Sequence, residues 1–92
     1  MLKIKDNVDL KELEKYGWKT FYVEHKESLF AIKDIYVDKN YTTDWYRVGV
    51  DEKDRKFRKS KFRPDKTLLS VKVTKKDISE LVENDLVEKV ND

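Results

Sequence analysis

The sequence predicts an α+β fold, a small antiparallel sheet of about four strands with a short helix near each end. Three observations predict it. Two stretches, at residues 9–16 and 74–82, open with helix-capping signals and then place apolar residues three apart. The stretch between them alternates apolar and polar residues with period two, broken by short polar turns. Only two glycines and one proline occur in 92 residues, so nothing reads as a linker and a single domain over 1–92 is expected.

The elements follow in order. Leu2 and Ile4 alternate with Lys3 and Lys5, a short strand signature. Asp9 can cap a helix over residues 10–16. Glu12 at N3 would complete a capping box, and Val8 and Leu13 have the spacing of a hydrophobic staple. Gly17 can take the left-handed conformation that ends a helix. Lys19–Glu24 holds Phe21, Tyr22 and Val23, good strand formers. His25–Ser28 is a polar break.

Leu29–Val37 places Ala31, Lys33, Ile35 and Val37 on one parity and Ile32, Asp34 and Tyr36 on the other. Asp38-Lys39-Asn40 is a turn. Trp45–Val50 alternates Tyr46, Val48 and Val50 against Trp45, Arg47 and Gly49. After a turn at Asp51–Asp54, a charged strand is expected over Arg55–Lys59. Pro64-Asp65 breaks the chain before a strand over Leu68–Val73.

Thr74 with Asp77, and Val73 with Ile78, repeat the box and staple spacing, and Ile78, Leu81 and Val82 form the expected buried face. Spacing also permits one continuous helix through Ile78, Val82, Leu86 and Val90. Asn84-Asp85 tolerate a positive φ and favour a stop there, with a strand over Leu86–Val90. The helices would cover one sheet face and leave the other partly wet.

Composition narrows the function classes. There is no cysteine, so disulfides and thiolate metal sites are excluded. The one histidine, His25, has no positioned acid and nucleophile, and a solvated turn residue is its plain reading. Asp51, Glu52 and Asp54 lack the ligand count of a calcium loop. No catalytic set, metal or cofactor is expected. The start MLKIKDNVD has no apolar h-region, and no run approaches the ~18–20 apolar residues of a membrane span. A cytoplasmic protein with no membrane partner is the expectation.

Charge concentrates in one place. Lys53–Lys66 carries eight Lys/Arg against two acids, while the segments on either side are each net negative. Arg55, Lys56, Arg58, Lys59, Lys61 and Arg63 are candidate phosphate ligands, because lysine and arginine clusters release counterions from nucleic acid. Phe57 and Phe62 are candidate base-stacking rings. With period two, Arg55, Phe57 and Lys59 would face one way and Lys56 and Arg58 the other. The plainer reading is an exposed edge strand that charge protects from pairing. A second group, Tyr36, Tyr41, Trp45 and Tyr46, straddles an expected hairpin and reads first as cross-strand packing. Its functional reading is a protein-binding anchor at Trp45, Tyr46 and Arg47, the residue types favoured in hot spots.

The opening KIKDNVDLKELEKYGW (Lys3–Trp18) and the ending ELVENDLVEKV (Glu80–Val90) resemble small uncharacterised proteins of Gram-positive phages and prophages. Those begin with KIKDxVDLKELEKYGF and end with LIKxGLVEKV. Trp18 stands where that family has Phe, and Asn84-Asp85 stands near its usual glycine. The resemblance covers the two ends and not the basic tract. It implies a phage-related origin and a bacterial cytoplasm, and no activity. Two functions follow as expectations. The first is a non-enzymatic accessory protein that binds nucleic acid through residues 53–66. The alternative is an inhibitor or adaptor of host machinery, such as an anti-defence (anti-CRISPR-like) protein. Composition leaves the oligomeric state open.

Overall fold

A computed structural model describes residues 1–36 and 44–90. The expected turn at Asp38-Lys39-Asn40, together with Val37 and Tyr41, lies outside the described residues. The chain runs β1 (Leu2–Ile4), a 3₁₀ helix (Leu10–Tyr16), β2 (Lys19–Val23), a single 3₁₀ turn (Glu24–Lys26) and β3 (Ser28–Tyr36). It continues with β4 (Trp45–Asp51), β5 (Phe57–Phe62), β6 (Leu68–Val71), a 3₁₀ turn (Lys75–Ile78), α1 (Ser79–Glu83) and β7 (Val87–Lys89). The class is α+β, as the sequence predicts. Five strands rather than about four form the main sheet, an antiparallel meander in the order β2-β3-β4-β5-β6, and β1 pairs with β7 in a second small sheet.

The helical pieces are short because their sequences support only short ones. Leu10 and Leu13 are both buried and lie three apart, the spacing that eclipses side chains in a 3₁₀ helix. Asp9 caps this helix by accepting the Lys11 N–H at 3.0 Å. The capping box is only half made, since the Glu12 side chain is exposed and makes no reciprocal bond among the described residues. Gly17 ends the helix with φ +86°, a conformation costly for any residue with a Cβ. At the other end, the Asp77 carboxylate accepts both the N–H and the hydroxyl of Thr74, at 2.9 and 3.0 Å. Ile78 and Leu81 are buried there, but Val82 is 39% exposed, so the expected three-residue face narrows to two. The chain stops at Asn84, turns through Asp85 at φ +60° and enters β7. The continuous-helix alternative is thereby excluded.

The core lies on one face of the meander. Ala31, Val48, Val50 and Phe57 point to it from β3, β4 and β5. Leu10, Leu13, Ile78 and Leu81 close over them from the helical segments and Val8 and Trp18 from the turns beside the first, with Ile4 from β1. The alternation of Ala31 with Ile32 and of Val48 with Arg47 set that division, since neighbours in a strand face opposite ways.

Two expectations about the basic tract are corrected. Its strand does not run over Arg55–Lys59. Arg55 has φ +59° and belongs to the turn, so β5 begins at Phe57 and reaches Phe62. Nor is β5 an edge strand, because it pairs with β4 on one side and β6 on the other. Edge protection therefore does not account for its lysines and arginines.

Candidate nucleic-acid interface

Sheet register sorts the candidate residues into two faces. Directly paired residues in an antiparallel sheet share a face. Phe21 pairs with Phe30, Ile32 with Gly49, Asp34 with Arg47, Trp45 with Phe62, and Phe62 in turn with Leu68. These residues line the face opposite the core. None of them is buried, and Phe21 and Leu68 are 42% and 58% exposed. No described helix or strand packs on this face.

The face is aromatic. Trp45 and Phe62 stack with ring centroids 4.1 Å apart and planes 8° from parallel. The Arg47 guanidinium lies 5.4 Å from the Trp45 ring and 5.6 Å from the Phe62 ring. Asp34 holds it there through two bonds, Nε at 2.7 Å and Nη2 at 3.2 Å. Such a bidentate pair fixes the guanidinium plane. Phe21 and Phe30 form a second stack at 6.0 Å and 15°, with the Lys26 ammonium 5.5 Å from the Phe30 ring. At one end of β3 the buried Ser28 hydroxyl donates to the Asp51 carboxylate and pins β3 to β4.

The expected protein-binding trio divides between the faces. Trp45 and Arg47 lie on the open face. Tyr46 lies on the core face, with the Lys59 ammonium 4.7 Å and the Lys61 ammonium 6.0 Å from its ring. The two phenylalanines of the tract divide likewise. Phe62 is on the open face, whereas Phe57 is 7% exposed and packs on Trp18 at 6.1 Å. Phe57 is a core residue, and of the two rings only Phe62 lies on the open face.

Most of the tract's charge is used internally. Arg55 Nη1 donates to the carbonyls of Lys5 and Val8 at 2.8 and 2.7 Å, tying the N-terminal segment to the sheet. Arg58 pairs with Asp54, Lys59 with Asp77 at 2.9 Å and Lys61 with Asp44 at 3.1 Å. Lys53 Nζ donates to the Lys26 carbonyl at 2.6 Å. The Asp54 carboxyl would be raised by its burial, but the Arg58 guanidinium and the Lys56 N–H hold it below the usual range. By contrast, Lys56, Arg63 and Lys66 have no ion-pair partner among the described residues, and neither have Lys19 and Lys26 beside the open face. Arg63 and Lys66 sit in the exposed β5–β6 hairpin, Arg63 next to Phe62 in sequence and Lys66 two residues before Leu68.

Sequence reasoning missed Phe21, Phe30, Ile32 and Leu68. A usable signal was present: once Ala31 and Val48 are assigned to the core, parity sends Phe30, Ile32, Trp45 and Arg47 to the opposite face together.

A cleft of about 480 Å³ on the core side has Lys33, Lys59 and Lys76 in its lining, and Asp77 and Glu80 beside them. Lys59 pairs with Asp77, and Lys33 reaches Glu80 at 3.9 Å, so the cleft offers little net charge to an anion. Among the described residues no group of three or more His, Asp or Glu is placed to hold a metal ion. No described helix is long and apolar enough to cross a membrane. Comparison with known proteins returned no match, whether to family models, to curated sequences or to solved structures.

Proposed function

We propose that this chain is a small, non-enzymatic accessory protein of phage or prophage type, working in the bacterial cytoplasm, and that the open face of its sheet binds single-stranded nucleic acid. One observation carries this reading. The open face presents stacked rings, Trp45 on Phe62 and Phe21 on Phe30, beside cations that form no ion pair among the described residues. Aromatic side chains on a sheet surface suit unpaired bases, because every base has a π-face. Lys19, Lys26, Arg63 and Lys66 supply the phosphate contacts around it. The residues that bind are therefore Phe21, Phe30, Trp45, Phe62 and this basic rim. Of the eight tract residues singled out from sequence, Phe62 and Arg63 remain at its centre. Arg55 and Phe57 serve the fold.

The test is a salt-titrated fluorescence anisotropy assay with single-stranded and double-stranded oligonucleotides. Single strands should bind more tightly. Four phosphate contacts would give a slope of log K against log salt of about −3. Equal binding of duplex, or none at low salt, would refute the proposal.

The alternative of an inhibitor or adaptor of a host protein, anti-CRISPR-like in kind, draws on a different observation. The edge strand β2 exposes Phe21 and Tyr22 at 42% and 59%, and a free sheet edge can accept a strand from another protein. That reading predicts a defined host partner whose binding is lost in Tyr22→Glu, with oligonucleotide binding unaffected.

A further inference from the structure

A second surface, remote from the stacked rings in its chemistry, lies where β5 passes from one sheet to the other. β5 pairs with β6 over Lys59–Phe62, and just before its start Lys56 bridges to Lys3 of β1. Between these pairings a groove of about 940 Å³ opens, with Leu2 on one wall and the segment Ser70–Lys75 on the other. Leu2, Phe57, Val71 and Val73 make it apolar. Five Lys or Arg side chains also line it, and no Asp or Glu does. Two of the five, Arg58 and Lys59, are paired with Asp54 and Asp77. The other three, Lys72, Lys75 and Lys89, are exposed and have no ion-pair partner among the described residues.

We infer that this groove docks an extended acidic peptide segment of a partner protein, one that carries bulky apolar side chains between its carboxylates. The charge pattern selects that occupant. An apolar floor left open to water is unfavourable, and filling it with Leu or Phe removes apolar surface of both partners from water. Three uncompensated ammonium groups at the rim then require carboxylates at the flanks, and complementarity of this kind sets partner choice. A nucleic-acid strand would satisfy the lysines and leave the apolar floor unfilled. A neutral apolar peptide would do the reverse. β6 also pairs on one side only, so its outer edge can hydrogen-bond the backbone of an extended segment.

The probe is a short fluorescein-labelled peptide with a Leu-Phe centre flanked by Glu and Asp, read by anisotropy at moderate salt. Saturable binding is expected. It should weaken at least about tenfold in the double variant Lys72→Glu/Lys89→Glu, whose side chains are exposed, and again in Lys75→Glu. An oligoglutamate peptide of equal length should bind at least about tenfold more weakly, since it leaves the floor empty. Phe62→Ala should leave peptide binding unchanged, which separates this groove from the open face and lets either assignment fail alone. The inference is overturned if no saturable binding occurs or if the charge reversals have no effect. It is also overturned if oligoglutamate binds equally well. A dimer that Lys75→Glu dissolves, without peptide binding, would assign the groove to a second copy and likewise overturn it. So would an oligonucleotide that those same reversals release while peptide does not bind.

Discussion

Phe57→Ala should cost about 3–5 kcal/mol of folding free energy, whereas Phe62→Ala should cost about 1 kcal/mol and weaken oligonucleotide binding roughly 10- to 100-fold. The two residues sit five positions apart in one strand, and an odd separation sends them to opposite faces. Phe57 is 7% exposed and fills the core against Trp18. Removing its ring leaves a cavity that its neighbours Val50 and Trp18 cannot fully collapse into. A domain of this size is stable by about 5–15 kcal/mol, so the loss is a large fraction of the whole. Phe62 instead stacks on Trp45 at the open face, and its loss removes a stacking surface for a base. Urea unfolding of both variants, with oligonucleotide binding of Phe62→Ala, checks the pair. Equal destabilisation would contradict the face assignment.

The second large effect is expected at Asp77. Its carboxylate receives the Lys59 ammonium at 2.9 and 3.0 Å, and it also accepts the Thr74 N–H at the entrance to the Lys75–Ile78 turn. The two side chains are 14% and 11% exposed. Asp77→Ala leaves a largely buried ammonium without its partner and removes the acceptor for the Thr74 N–H. The expected cost is about 2–4 kcal/mol, from a broken buried pair and a lost capping bond. Asp77→Asn keeps an acceptor and should lose less.

Acid should expose the same site. Burial of Asp77 alone would raise its pKa, but the Thr74 N–H, the Lys59 ammonium and the Thr74 hydroxyl together hold it below the ordinary carboxylate value. A carboxyl depressed in the folded state contributes stability that is fully present above its unfolded pKa, ~3.9. That contribution is lost as pH falls through the lower folded value. Asp54 and Asp65 are shifted in the same direction, Asp65 by the Thr67 hydroxyl and N–H. The melting temperature should therefore fall as pH is lowered through about 4 and below, with a shallower fall in Asp77→Asn. A melting temperature flat across that range would remove the account of Asp77.

Much of the fold was legible because it rests on local chemistry. Asp9, Gly17 and the Thr74–Asp77 pair mark segment ends by bonds within a few residues of themselves. Ala31, Val48 and Val50 declare the core face by alternation alone. What could not be read was non-local. The placement of β5 inside the sheet depends on pairing with β6, which no residue of the basic tract announces. Its charges look available for phosphate only until their partners are known, and apart from Asp54, four residues before Arg58, those partners are distant in the chain. Asp77 lies 18 residues from Lys59, and Lys5 lies 50 residues from Arg55. The apparent uniformity of the tract dissolves into a turn arginine, a core phenylalanine, three ion pairs and an exposed hairpin. The open aromatic face came from residues scattered over β2, β3, β4 and β5, and only register assembles it.

The most direct test of that face is a titration of isotope-labelled protein with a single-stranded oligonucleotide, followed by amide and aromatic NMR shifts. Shifts should concentrate on Phe21, Phe30, Ile32, Trp45 and Phe62 and extend to Arg63 and Lys66. Core-face residues such as Val48 and Val50 should stay unmoved. Shifts confined to Lys72, Lys75 and Lys89, or an absence of shifts at saturating oligonucleotide, would contradict the claim that the open sheet face is the binding surface.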